Sequence, residues 1–323
     1  MKSAIYSTSE PRALEIRDTE QPTPNDDEVL IKVRAASVNP LDYHLLRHPF
    51  IRRVMSPLMS KLKITQPGRD VAGEVEAVGN NVTQFKLGDA VFGSCDGAFA
   101  EYACASASGL AMKPENITFE QAASVPVAGL TALQALRDKG KLQSEQKVLI
   151  NGAAGGVGTF AVQIAKWLGA KVTAVCSTRN LEMVRSIGAD RVIDYTREDF
   201  TKGAQRYDLI FDLVANHSFS AHRRVLNRKG IYIGAGLLGK PSMFGLLASQ
   251  ITDLVLSRFV SQEFGSFMAK LKQEDLALMA ELMEARKVTP VIDRTYSLSK
   301  VDEAIRYLEE KHARGKVVIT LET

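Results

Sequence analysis

The residues best suited to holding a reactive group in place read NGAAGGVGTF, positions 151–160. Glycine lacks a Cβ, so its backbone can approach a ligand closely and adopt dihedrals that other residues avoid. The run follows KVLIN, which reads as a short buried strand, and leads into VGTFAVQIAKWLGA (157–170), whose apolar residues recur at helical spacing. A strand-to-helix turn of this kind points the unpaired first amides of a helix at an anion such as a pyrophosphate. Counted on its last glycine, the motif is Ala153, Gly155, Gly158, with alanine replacing the first glycine of G-x-G-x-x-G. Counted one residue earlier it is G-x-x-G-x-x-G from Gly152.

Beyond the helix-like run, KVTAV (171–175) reads as a second strand and ends on the polar turn Ser177-Thr178-Arg179-Asn180, about 20 residues past the loop. An acidic side chain at that distance grips the ribose 2′-hydroxyl of NAD, whereas an arginine accommodates the 2′-phosphate of NADP. This turn offers Ser177 and Arg179 and no carboxylate, which favours NADPH. The expected contacts are the Gly155 turn and the Gly156 and Val157 amides on the pyrophosphate, and Ser177 and Arg179 on the 2′-phosphate.

Those residues need a frame. At 323 residues the chain exceeds what one hydrophobic core usually serves, and two domains are expected. An apolar fraction of 45% and a charged fraction of 24% are ordinary for a soluble globular protein. A net charge of +4 with no Lys/Arg tract argues against a nucleic-acid partner. Cys95, Cys104 and Cys176 are too few and too scattered for a disulfide framework, and a reducing cytoplasm is expected. The N-terminus lacks the apolar core of a signal peptide. The most apolar late stretch, 241–260, is broken by Asp253 and Arg258, so no membrane span is expected.

Up to about Pro114 the pattern is of short Val- and Ile-rich strands between Pro, Gly and Asn-Asp turns, a mostly β domain. From about Glu120 strands and helices alternate, with strands near Lys147, Lys171, Arg191, Tyr207 and Gly230, which implies a parallel α/β sheet. The final piece reads strand, helix, strand. Ser299 is the expected N-cap of its helix, and Val301, Ala304, Ile305 and Leu308 form the apolar stripe. The basic stretch 48–63 reads as a partly helical surface excursion, with a substrate lid as the alternative.

Seven segments in order carry a resemblance over essentially the whole chain: ASVNPLDYHLL, PGRDVAGEVEAVGNNVTQFKLGDAVFG, GAFAEYACA, AASVPVAGLTALQAL, NGAAGGVG, YDLIFDLV and HARGKVVI. Together they resemble the zinc-independent quinone oxidoreductase branch of the medium-chain dehydrogenase/reductase superfamily. The resemblance implies a Rossmann-type doubly wound parallel sheet at 123–287. It also implies a mostly β, GroES-like catalytic domain made discontinuously from 1–122 and 288–323, with a cleft between the two. Thr131 matches a residue near the nicotinamide, Tyr195 one that packs by the adenosine ribose, and Arg314 one that could reach the cofactor from the tail. Asn39 or Tyr43 is the expected catalytic hydrogen-bond or proton donor, and His44 occupies a place where relatives carry a cofactor-contacting residue. Ala215-Asn216 stands where relatives commonly have glycine next to the nicotinamide side, a departure that could alter the pocket. The family also implies a homodimer, to which 244–260 could contribute.

Zinc-dependent relatives carry a Cys at the position of Asn39 and a His-Glu pair at Arg69-Asp70, and the five histidines here, His44, His48, His217, His222 and His312, are dispersed. No metal site is expected. Without a Lewis acid, oxidation of a simple alcohol is disfavoured, and quinones or α,β-unsaturated carbonyls become the expected hydride acceptors. The rival readings are an NADPH-binding sensor or structural protein without turnover, and a zinc alcohol dehydrogenase with unusual ligands.

Overall fold

The structure, a computed structural model, describes residues 1–7, 13–47, 66–235, 261–310 and 313–321. The basic stretch 48–63, the apolar stretch 241–260, His48 and His312 lie outside the described residues. Strands β1 (Lys2–Tyr6), β2 (Leu14–Asp18), β3 (Glu28–Val38), β4 (Asp70–Val78), β5 (Ala90–Ser94), β6 (Tyr102–Ser106) and β7 (Leu110–Met112) come first. The middle of the chain supplies β8 (Lys147–Asn151), β9 (Lys171–Cys176), β10 (Arg191–Asp194), β11 (Tyr207–Asp212), β12 (Leu226–Gly234) and β13 (Glu263–Ser266). Last come β14 (Ile292–Ser297) and β15 (Lys316–Thr320).

The chain divides into two compact units, Met1–Leu130 with Leu271–Thr323, and Thr131–Lys270. In the first, β3 is the spine. Its EVLIKVRAASV run is buried along most of its length, because β4 and β6 pair with it antiparallel and the closing strand β15 adds on, Val317 opposite Val38. The sheet order is β14-β15-β3-β4-β5-β7, and β1 and β2 form a separate antiparallel pair. Val29, Ile31, Val33, Val71, Phe99 and Val317 fill the core, and Val301, Ala304 and Ile305 of the helix Val301–Glu310 close it. Leu308 packs against that core as a half-buried member of the same stripe.

In the second unit all neighbouring strands pair in parallel, in the order β10-β9-β8-β11-β12-β13. Relabelled within the unit this is 3-2-1-4-5-6, the doubly wound order, whose direction reverses between β8 and β11. The β8 and β11 runs, KVLIN and YDLIFD, are short and almost wholly buried, as parallel strands with covered faces must be.

The compact units divide at 130/131 and 270/271, near the expected domain bounds of 122/123 and 287/288. The helix Gln273–Glu284 goes with the first unit because Gln273 Nε2 donates to the Ala107 and Leu110 carbonyls, and Asn116 Nδ2 to the Met283 carbonyl at 3.2 Å. Ser299 is no helix N-cap: it lies inside a 3-10 turn, Leu298–Lys300, that precedes Val301, and its hydroxyl meets Ser297 Oγ at 2.9 Å. The edge strand β13 had no expected counterpart, since EFGS is too short and too exposed to carry a periodic signal.

Candidate functional site

The glycine-rich loop sits where β8 ends, and its geometry explains its composition. Gly152 has φ of 86°, in the left-handed region. A Cβ on Gly158 would lie 2.2 Å from the Gly152 carbonyl oxygen, so only glycine lets the helix Gly156–Trp167 start this close to the strand. The amides of Gly152 and Ala153 both donate to the Val175 carbonyl, at 3.2 and 3.0 Å, which pins the loop to the end of β9. Gly155 is the N-cap, and no side chain caps the helix. The first-turn amides of Gly156 and Val157 are therefore offered to a ligand at the positive end of the helix dipole.

The polar turn follows β9 directly. Ser177 Oγ accepts from Asn180 Nδ2 at 3.1 Å, which leaves the hydroxyl proton to donate outward. Arg179 is exposed in the 3-10 turn Thr178–Asn180. Tyr195, 53% exposed, follows β10, and its amide donates to the Cys176 carbonyl at 3.1 Å. The carboxylate nearest in sequence to Tyr195 is turned inward. Asp194 accepts from Thr178 Oγ1 at 2.5 Å and from the Thr196 amide and hydroxyl at 3.0 and 2.8 Å, and the Thr178 bond first of all holds its pKa below the ordinary value. Gly155, Gly156, Val157, Ser177, Arg179 and Tyr195 are thus gathered at the carboxyl ends of three adjacent strands. Thr131 begins the same unit, half-buried in the helix Pro126–Gln134.

At the switch point, the carboxyl ends of β8 and β11 are joined through Asp212. This side chain is fully buried, yet the His222 contact and the amides of Ala215 and Val214 outweigh burial and hold its pKa down at about 2. Sequence reading did not find it. Its one sequence signal is a lone acid closing the apolar strand YDLIFD, a position where an unpaired carboxylate would be costly.

The other expected residues lie in the first unit. Asn39 is buried, and its amide group is fully engaged: Nδ2 donates to Asp70 Oδ2 at 2.9 Å and to the Ser37 carbonyl at 3.4 Å, while Oδ1 accepts from Lys316 Nζ at 2.6 Å. Lys316 Nζ also lies 3.4 Å from Asp70 Oδ2, and Ser37 Oγ donates to the same oxygen at 2.7 Å. The Asn39 side chain therefore knits strands together in this structure rather than presenting a donor outward. Asp42 accepts from the Asn39 amide at 2.7 Å, and burial pushes its carboxyl up to about 7. Burial pushes Lys316 down, against the opposing pull of Asp70. Tyr43 is half-buried against the core, its phenol raised to about 12 by burial and by Glu309, and its ring lies 4.4 Å from that of His44. Arg314 is exposed, and its amide donates to Asp293 Oδ2 at 3.0 Å.

The donor set does not fit catalytic zinc. Asn39 and Arg69 stand where a thiolate and an imidazole would be, and Asp70 is occupied by an ammonium from the chain itself. Cys95 is buried, and its amide donates to the Arg69 carbonyl at 2.9 Å. Among the described residues no group of His, Cys, Asp and Glu could hold a metal ion, and no helix is long and apolar enough to cross a membrane.

Two family models match: an alcohol dehydrogenase GroES-like domain over residues 25–115, and a zinc-binding dehydrogenase domain over residues 187–319. The chain is 36% identical to the mitochondrial NAD(P)H oxidoreductase RTN4IP1 of Mus musculus, covering 91% of this chain and 82% of that protein. It is 35% identical to the 2-methylene-furan-3-one reductase of Solanum lycopersicum, covering 92% and 73%. The solved quinone oxidoreductase of Coxiella burnetii superposes with a TM-score of 0.84 at 32% identity, over 100% of this chain and 99% of that one. With a doubly wound sheet, a GroES-like unit and relatives of this closeness, the chain belongs to the quinone oxidoreductase branch of the medium-chain dehydrogenase/reductase superfamily and is an oxidoreductase.

Proposed function

We propose that this protein is an NADPH-dependent reductase of quinones or α,β-unsaturated carbonyls that needs no zinc. The observation carrying the proposal is the pairing of an uncapped, glycine-lined helix start with a Ser177/Arg179 turn whose neighbouring carboxylate, Asp194, is tied to threonines. The loop fits the pyrophosphate of a dinucleotide, Ser177 and Arg179 fit a 2′-phosphate, and Tyr195 offers an exposed ring beside them. When bound, the cofactor supplies a hydride. The relatives' printed names, an NAD(P)H oxidoreductase, a 2-methylene-furan-3-one reductase and a quinone oxidoreductase, support a nicotinamide cofactor and acceptors of these classes.

The chain's own part is to align and to stabilise. Conjugation in the acceptor spreads the developing negative charge, so hydrogen-bond donors suffice where a metal would serve an unactivated carbonyl. Tyr43, like any phenol, keeps its proton at neutral pH, and burial raises it further, so it can donate a hydrogen bond to that oxygen. His44 is the second candidate donor. Asn39 contributes by holding the start of the helix Pro40–Arg47 that carries both. The proton that completes reduction comes from water. Three free cysteines suit a reducing compartment such as the cytoplasm, and the outer strand β13 suits edge-to-edge pairing into a homodimer.

Mixing the purified protein with NADPH and either 9,10-phenanthrenequinone or a small enone should bleach absorbance at 340 nm in proportion to enzyme. No turnover over a broad panel of such acceptors would refute the proposal.

A further inference from the structure

The run Asn39-Pro40-Leu41-Asp42 is built to start a helix unaided. Asparagine is among the preferred N-caps, proline suits the first helical position, and an acid three residues after the cap can take the cap's amide. The backbone behaves as expected: Asp42 Oδ2 accepts the Asn39 amide at 2.7 Å, and the Asp42 amide returns to the Asn39 carbonyl at 3.0 Å. The cap side chain does not. An N-cap oxygen ordinarily accepts an amide of its own first turn, but Asn39 Oδ1 turns away from the helix Pro40–Arg47 and accepts from Lys316 Nζ at 2.6 Å.

Its surroundings fix that orientation. Asn39 Nδ2 faces two acceptors, Asp70 Oδ2 at 2.9 Å and the Ser37 carbonyl at 3.4 Å, so the amide oxygen has to face the ammonium. An ammonium has three N–H groups. Those of Lys316 find Asn39 Oδ1, the Val38 carbonyl at 3.3 Å and Asp70 Oδ2 at 3.4 Å. Asn39, Asp42, Asp70 and Lys316 are all buried, and the ammonium faces both carboxyl groups. A cap diverted from its own helix to a buried cation forgoes the ordinary capping bond. The diversion makes Asn39 the joint between β15 and that helix.

The helix that begins at this joint carries Tyr43 and His44, the two candidate donors to the acceptor oxygen. We propose that Lys316 is a positioning residue for the reduction: its buried ammonium, acting through the Asn39 carboxamide, sets the start of the helix and so the placement of Tyr43 and His44. The ammonium touches neither substrate nor cofactor in this role. The inference rests on the reductase reading above and adds the residue that holds its donors in place from the far end of the chain.

The test uses the full chain and two variants. Lys316→Ala removes the ammonium and leaves room for a small amine. It should lower kcat for quinone reduction by about tenfold to a hundredfold, because misplaced donors act badly even at saturation. The Kd of NADPH, which depends on Ser177 and Arg179 of the second unit, should stay unchanged. Ethylammonium chloride should restore kcat saturably, where sodium chloride at the same ionic strength does not. Amide hydrogen exchange over residues 41–47 should quicken in the variant and slow again with the amine. Asn39→Ser gives the helix a side chain that can cap it directly but gives Lys316 no amide oxygen. It should show the same loss of kcat with the same NADPH affinity, and it decides the matter should Lys316→Ala fail to fold. An unchanged kcat in either variant, or a loss that ethylammonium does not recover, overturns the positioning role while the reductase reading stands. If the unaltered protein reduces no acceptor, the reductase reading falls, and unchanged exchange over 41–47 in both variants would then overturn the link from Lys316 to the helix as well.

Discussion

Ala215 holds a strained backbone after the strand β11. Its φ of 55° costs an alanine what it would not cost a glycine, and the Asp212 carboxylate holds it there through two amides. Ala215→Gly should therefore raise the stability of the ligand-free protein by about 1 kcal/mol, read from the urea midpoint; an unchanged or lower midpoint would show that the loop is relaxed. At this scale the glycine-rich motif was plain in the sequence, because Gly152 and Gly158 meet requirements set by immediate neighbours. Asp212 was not, since Val214 and Ala215 reveal nothing of Asn151, Tyr232 and His222, which arrive from other strands and a helix. Nor were the partners of Asn39. The partner that occupies its Oδ1, Lys316, lies 277 residues away in the chain.

Among the elements, β15 does more than complete a sheet. Its first residue, Lys316, carries a buried ammonium to Asp70 on β4 and to Asn39 after β3, and Asp70 Oδ1 in turn accepts the Val127 amide at 2.9 Å in the first turn of the helix Pro126–Gln134. One ion pair therefore joins the tail to two early strands and a helix start. Lys316→Met leaves a buried carboxylate without its cation and should cost roughly 3–5 kcal/mol in urea unfolding; a loss below about 1 kcal/mol would mean that Asp70 is satisfied by its other donors alone. The sequence located β15 and the helix Val301–Glu310 because both are periodic, and it showed that the closing strand needed a partner. It missed the cap and the helix Gln273–Glu284 because those depend on contacts: the 3-10 turn starts at Leu298 ahead of the expected cap, and Gln273 is drawn to carbonyls of residues near 110.

For the molecule as a whole, the order of seven motifs identified the family and hence the doubly wound sheet and the GroES-like unit, whereas composition alone allowed any soluble two-domain protein. The compact units divide within or beside helices, at 130/131 and 270/271, where no break in composition marks a boundary. If the whole molecule is the NADPH reductase proposed, it takes a phosphorylated dinucleotide in preference to the plain one, and one titration decides that most directly. Calorimetric titration of the unaltered protein with NADPH and with NADH should give at least about tenfold tighter binding of NADPH, and Arg179→Ala should abolish that preference by weakening NADPH alone, since the charge-assisted bond reaches only the 2′-phosphate. Binding of neither nucleotide, or an equal loss for both in the variant, would contradict the account.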